Sequence, residues 1–530
     1  MKNLIFIFIL IFCSTFLFAQ TTIPGGDVSG TWEISGSPYL IEGEITIPDG
    51  ETLAIDPGVL VEFQGHYKFN VQGRLLAVGT EQDLIYFTIN DTTGFSNHTI
   101  PDGGWHGIRF DNTPTTNDSS KIVYCHLEYG KALGADPDYL GGAIYCCALY
   151  SGFSKTQIIN SKIINNYAGC GGGIALKFCM VILRNNYICY NISGNKGGGI
   201  YCRNSYYNAG SDIESNVICH NIAIQDGGGI YGQRLELCNS LIHSNSADYG
   251  GGLYCTGDND IVNCTITNNS AQFKGGGLYC TQSELTNVID CIFWDDNAVE
   301  GGDEVALYAY WYYDWISMTY AWSPANASFY YDDIEGGIGS FYLNYEGSTP
   351  QYPIIYNIPY YYNLNSDPLF LDPENGDFYF FSNSPCINTG TPDTTGLNLP
   401  EYDLDGNPRI YEDIIDMGCY EWQGTGAGNN ELPITNYQLQ NYPNPFNPDT
   451  EIAFSIAGSD DKEKKVSIII YNIKGQRVKT LIKEKMKSGR YSVIWDSKDE
   501  NNKPCSSGIY FYKLDVDGKT KALRKMVLLK

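Results

Sequence analysis

Apolar and polar residues alternate in short runs along most of the chain, and no long stretch carries the 3.6-residue period of an amphipathic helix. Six of these runs look alike: SKIINN at 161, NYICYN at 186, NVICHN at 216, SLIHSN at 240, CTITNN at 264 and CIFWDDN at 291. Between them stand glycine-rich corners followed by an apolar residue: GGAIYC at 141, GGGI at 171, GGGIYC at 197, GGGIY at 227, GGGLYC at 250 and GGGLYC at 275. The asparagines closing the first signature, Asn166, Asn191, Asn221, Asn245 and Asn269, recur at steps of 25, 30, 24 and 24 residues. Each unit therefore predicts two or three short strands and a tight corner, repeated.

A leucine-rich repeat has a similar period, but its leucine ladder is absent. A coil of three short strands fits, each strand pairing in parallel with its copy one coil away at about 4.8 Å. In such a stack inward Ile and Leu form continuous ladders, and Asn amides hydrogen-bond one above the next. Glycines make the tight corner, with positive φ where a side chain would clash. Strand-like runs separated by Pro/Gly turns (TWEIS, YLIEGEITIP, KFNVQGRLLAVG), and GGWHGIRF around Trp105, continue the pattern towards the N-terminus. The expected fold is all-β: a right-handed parallel β-helix of about nine or ten coils over 20–366, its hand taken from the general rule for parallel crossovers. A small Ig-like β-sandwich of about seven strands follows at 434–530, read from alternating strands and turn signals.

Composition narrows the setting. Lys2, an apolar run over residues 4–18 and Ala19 read as a signal peptide at 1–19, too short to span a bilayer. No later run is long enough for a transmembrane segment. Residues 1–431 carry a net charge of −34 and residues 432–530 one of +7. An acidic body argues against nucleic acid and acidic polysaccharide as simple electrostatic partners. Sixteen cysteines remain beyond Cys13, without CxxC pairs and at repeat spacing, which reads as small core residues rather than zinc ligands. Cys189 and Cys219, like Cys255 and Cys280, share columns and are expected as stacked free thiols.

The N-terminal coils resemble those of the pectate-lyase-like superfamily of β-helix proteins, and the GGGIYC and NxIxxN repeats resemble those of polymorphic outer-membrane-type surface proteins. DPLFLDPENGDFYFFSNSPCINTG and DLDGNPRIYEDIIDMGCYEW, within 367–422, resemble the choice-of-anchor Q region that closes many such helices. Beside that resemblance, Cys419 stands where small residues are usual, which leaves room for a Cys386–Cys419 bridge. After a Gly/Asn-rich linker at 423–433, NYPNPFNPDTEIAFSI and the strands behind it resemble the type IX secretion sorting domain (type A) and the related Ig-like domain of flagellar hook-cap proteins. That resemblance implies export to the outer surface or medium, with the type IX machinery and a sortase-like enzyme as partners.

Candidate chemistry is sparse. Lyases on this fold use clustered Asp with calcium and an Arg or Lys base; Arg184 and Arg203 are the candidates for that base, or else solvated rung ends. Asp403, Asp405 and Asn407 resemble the opening of a calcium loop but lack its downstream Glu, so a turn held by Asp side chains is the competing reading. Asp295 and Asp296 read as a turn, and His220 and His243 as stacked polar rungs. An aromatic-rich insert at 307–362 carries Trp311, Tyr312, Tyr313 and Trp315, side chains suited to sugar stacking or protein contact, or to packing on the helix flank. The leading expectation is a monomeric, surface-displayed protein in adhesion or carbohydrate binding, without a cofactor unless calcium. The alternatives are a polysaccharide lyase or glycoside hydrolase, and a passive stalk.

Overall fold

The computed structural model describes residues 20–528 apart from 118, 149–155, 204–210, 283–284, 315–318, 351–352, 412–413, 425–438, 443–447, 457–462, 488 and 501. The leader at 1–19, Trp315 and most of the linker lie outside the described residues. From Thr21 to Tyr361 the chain winds through three parallel sheets of twelve strands each. The first face runs from Thr21–Ile23 to Asp333–Ile334, the second from Gly26–Asp27 to Tyr342–Leu343, and the third from Gly30–Trp32 to Tyr360–Tyr361. Successive strands of the chain fall on successive faces, and every pair within a face is parallel. This is a parallel β-helix.

Twelve strands per face exceed the nine or ten coils expected. The difference lies largely at the C-terminal end, where 307–362 is mostly coil rather than insertion. It supplies Ala327–Tyr330, Asp333–Ile334, Tyr342–Leu343 and Tyr360–Tyr361 to the three faces. Its aromatic density hid the strand alternation. At the coil spacing, twelve rungs make a rod about 53 Å long.

The interior follows from period-two alternation. On the first face Ile188, Ile218, Ile242, Ile266 and Phe293 stand in register, and on the second Ile200, Ile230, Leu253, Leu278 and Val305 do the same, all fully buried. Each such side chain stabilises the fold by about 1.5–3 kcal/mol relative to exposure.

Corners are where a solenoid would strand backbone donors, and here side-chain ladders satisfy them. Asn166, Asn191, Asn221 and Asn245 each donate through Nδ2 to the Oδ1 of the next asparagine at 2.9–3.0 Å, ending on Asn269. Each also donates to a carbonyl of the coil before, as Asn221 does to Ile188. Asn269 in turn donates to Asp296 Oδ1 at 3.0 Å, so Asp296 is the last rung of the ladder rather than part of a solvated turn. A second ladder occupies the opposite end of the first-face strands: Ser161, Asn186, Asn216 and Ser240 cap successive backbone amides.

The glycine triplets make the next corner, and their three members act differently. Gly197 has a φ of +65°, the left-handed region. Gly198 does not; a Cβ there would stand 2.3 Å from the Gly228 carbonyl of the next coil. Close approach, not positive φ, fixes the second glycine. Beside this corner seven coils add a short strand, from Lys131–Ala132 to Asn297–Ala298.

Residues 367–422 do not merely close an end. They lie along the outside of the first face, where Phe370, Phe378, Phe380, Met417 and Tyr420 pack on Leu241 and Ile292. Hydrogen bonds fix the seam: Thr391 N donates to Asp290 Oδ1 at 2.6 Å, and buried Arg409 donates to Asn239 Oδ1 at 3.1 Å. Cys386 and Cys419 are both free and buried, contrary to the expected bridge. They face different coils, Cys386 donating to Asp333 Oδ2 and Cys419 to Thr265 Oγ1. Cys189 and Cys219, expected as free thiols, instead form a disulfide between adjacent coils, their Cα atoms 4.6 Å apart and within bonding range despite the parallel register. Cys255 and Cys280 stack as free, buried thiols.

The C-terminal domain pairs Leu439–Tyr442, Thr450–Ile456 and Gly489–Trp495 in one antiparallel sheet. Lys464–Asn472, Arg477–Met486, Gly508–Val516 and Lys519–Leu528 form the other. Trp495, Tyr512, Ile468 and Met526 fill the space between them. The seven strands agree with the sandwich expected.

Candidate functional site

The residue that follows each inward Ile or Leu on the second face points outward, and from the third glycine corner to the sixth it is a tyrosine. Tyr201, Tyr231, Tyr254 and Tyr279 are in register on successive coils. Their rings stack with centroids 5.3, 5.2 and 4.9 Å apart. A ring stacked on both sides has its faces covered, so it offers a ligand its edge and its hydroxyl. One coil earlier the column holds Ala175, and the vacancy is occupied by Tyr139, reaching in from a surface loop. Buried Arg109 pins that loop by donating to the carbonyls of Pro137, Leu140 and Gly141.

Polar side chains flank this row on both sides. On one, Lys196 pairs with Asp226 at 2.9 Å and lies 4.5 Å from the Tyr231 ring centroid. Burial works against its charge, but Asp226 and Tyr231 outweigh it and hold Lys196 above the ordinary lysine range. On the other side, Arg203, Gln233 and Thr256 are partners in register. Arg203 is exposed, stands 5.8 Å from the Phe178 ring centroid, and forms no ion pair among the described residues. Burial pushes the Tyr201 hydroxyl up to about 12, so it is a neutral hydrogen-bonding group at any physiological pH. Tyr201 and Tyr231 of the row, with Tyr139, Lys196, Arg203, Gln233 and Thr256, line an open cleft of about 370 Å³ that crosses several coils.

The sequence candidates are scattered by comparison. Arg184 lies on the third face, paired with Asp212 at 2.6 Å and Glu214 at 3.3 Å, so it and Arg203 cannot serve one reacting atom. Asp403 is a buried turn-former: its oxygens accept from the amides of Asp405, Asn407 and Glu421 and from Asn407 Nδ2. Those donors occupy the lone pairs calcium would need, and the set does not fit the ion. His220 and His243 pack edge to face at 5.5 Å, and no group of His, Cys, Asp and Glu forms a metal-ligand set among the described residues.

Within the aromatic segment, Tyr310–Asp314 and Thr319–Ser323 form an antiparallel hairpin leaving the coil just after Tyr308, whose ring lies 6.1 Å from Tyr279. Trp311 opposes Trp322 across it, centroids 5.0 Å apart, and Trp311 and Tyr312 are 41% and 38% exposed. Tyr313 is on the same strand. The hairpin thus extends the aromatic surface of the second face. The tyrosine row itself was missed, although its signal was present: a Tyr four residues after the first glycine of GGGIY and GGGLY, which period two turns outward.

Fold and surface define a parallel β-helix protein bearing a C-terminal Ig-like domain. Two family matches agree with that division: residues 444–520 match the FlgD Ig-like domain, and residues 263–281, most of one coil with its asparagine and glycine corners, match the Chlamydia polymorphic membrane protein repeat. Protein bark beetle of Drosophila melanogaster is 33% identical over 99 residues, 18% of this chain and 3% of that protein, so the chain spans a small fraction of its length. Dimeric latent PorU from Porphyromonas gingivalis aligns over 18% of this chain and 9% of that one, at 17% identity and a TM-score of 0.16. Among the described residues no helix is long and apolar enough to cross a membrane.

Proposed function

We propose that this chain is a non-enzymatic cell-surface protein that binds glycan chains, for adhesion or carbohydrate capture, and is exported by type IX secretion through its C-terminal domain. The observation that carries the reading is the open cleft on the second face, floored by stacked tyrosines and edged by Lys196, Arg203, Gln233 and Thr256. Such a surface supplies hydrogen-bonding hydroxyls and amides at one-coil intervals, the pattern a repeating polymer can meet. The inter-coil disulfide Cys189–Cys219 accords with an oxidising, extracytoplasmic setting. The surface-protein repeat at 263–281 supports display outside the cell. A lyase is the weaker alternative, because Arg184 is neutralised by two carboxylates and Arg203 faces no carboxylate cluster.

A glycan array probed with the mature chain tests the reading. Binding lost on Tyr231→Ala and Tyr254→Ala, with melting unchanged, supports it; silence across the array overturns it. Deleting residues 432–530 is expected to strand the chain in the periplasm, and surface display of the truncated chain would overturn the export role.

A further inference from the structure

Arg203 sets one end of the cleft apart. The body carries a net charge of −34 over residues 1–431, yet at this point two cations, Lys196 and Arg203, line one cleft whose described lining includes no carboxylate. Lys196 is committed to Asp226 at 2.9 Å. Nearby Lys177 is committed in the same way, to Asp136 at 3.1 Å. Arg203 forms no such ion pair among the described residues. It lines the cleft with Tyr139 and Tyr201, reaches the Tyr201 hydroxyl as a hydrogen-bond donor, and its positive charge offsets part of the rise that burial imposes on each hydroxyl.

A guanidinium with no carboxylate partner among the described residues still offers a fork of donors beyond the one aimed at the Tyr201 hydroxyl. Arg recognises planar or tetrahedral oxyanions with two parallel hydrogen bonds, and the flanking hydroxyls of Tyr139 and Tyr201 can donate to the same oxygens. Beyond it, Gln233 and Thr256 line the same edge one and two coils further on, with the tyrosine row as floor, and none of these carries charge. The cleft therefore has a cation without an ion pair at one end and a neutral polar body.

We propose that this end is a subsite for an anionic sugar substituent, a carboxylate or a sulfate ester, and that Arg203 reads it while the tyrosine row holds the neutral part of the same polymer. This rests on the glycan-binding reading. Carboxylate and sulfate share the chemistry of an oxyanion on a sugar, and two arms of one experiment separate them.

The test uses the full mature chain on three immobilised polymers: a polyuronate, a sulfated galactan and a neutral glucan. The wild type is expected to be retained by one or both anionic polymers more strongly than by the glucan, with retention falling as salt rises from about 50 to about 500 mM. Arg203→Ala is expected to weaken anionic binding about tenfold, the effect of one charge-assisted hydrogen bond, and to leave glucan binding unchanged. Arg203→Lys should restore part of it, and Tyr231→Ala should weaken binding to all three. Because Arg203 is exposed, its variants are expected to melt with the wild type. Preference for the polyuronate or for the galactan identifies the substituent. Equal retention of the glucan, or indifference to Arg203→Ala, overturns the anionic subsite while glycan binding stands; no retention on any polymer overturns both.

Discussion

The first and second faces of the coil share one interior of Ile and Leu columns and differ entirely outside. On the first face the outward column includes Val217, Leu241 and Ile292, and residues 367–422 cover it. On the second the corresponding column is tyrosine, half-exposed along most of its length and left open. Aliphatic side chains gain only by leaving water, whereas a tyrosine can stack its ring and keep its hydroxyl wet. The contrast teaches that the outward residue of each strand, not the repeat itself, decides which face becomes structure and which becomes surface.

The corner joining the two faces is where the comparison breaks most completely. Gly228→Val would place a Cβ 2.3 Å from the Gly251 carbonyl and 2.6 Å from the Ser246 backbone. A cost above about 4 kcal/mol is expected, with both faces lost together in one cooperative melt; wild-type melting would contradict the close-packing account. Arg409→Met should affect the covered face alone. It removes the cation 3.5 Å from Glu421 and leaves buried carboxyls without it, at about 3–5 kcal/mol.

That loss has a pH signature. Burial pushes Glu421 up to about 8 and Asp416 up to about 6. At pH 5 both are protonated and need no cation, so cleavage of 367–422 by a protease should rise above wild type at pH 8 far more than at pH 5. Glycan binding on the open face should not change at either.

Asp296→Asn is a smaller and opposite change. Burial pushes the Asp296 carboxyl up to about 7, above the ordinary value of 3.8, and the buried neighbour Glu304 is raised as well. The native state therefore holds a proton that the unfolded chain releases. Wild-type stability is greatest below the ordinary carboxylate range and falls as pH rises towards 7. An amide at this rung continues the ladder without that dependence, so the variant should melt a few degrees higher at pH 8 and match the wild type near pH 4. Arg184→Ala marks the lower limit: its ion pairs on the third face are half-exposed, and less than about 1 kcal/mol is expected, with glycan binding intact.

The coil, its asparagine ladder and its glycine corners were legible because each recurs once per turn. What escaped the sequence were partnerships across coils. Cys189 and Cys219 share a column with Ile164 and His243, and nothing local distinguishes a bonded pair from two stacked thiols. Asp296 looked like half of an acidic turn, because only the stack shows that Asn269 needs an acceptor beneath it. The placement of 367–422 along a face, against Asn239, Asn263 and Asp290, joins residues more than a hundred positions apart. The tyrosine row was written in the repeat but went unassigned, since a residue beside an inward Ile gains meaning only once the inside is known.

The asparagine at each corner binds only its copies above and below and the carbonyls beside them. Nothing in that arrangement counts how many copies there are. Duplicating the 24 residues 222–245 in the gene would add one more tyrosine to the row and leave both ends untouched. The reach of the open face is thus a heritable length, adjustable in whole turns without redesigning the protein.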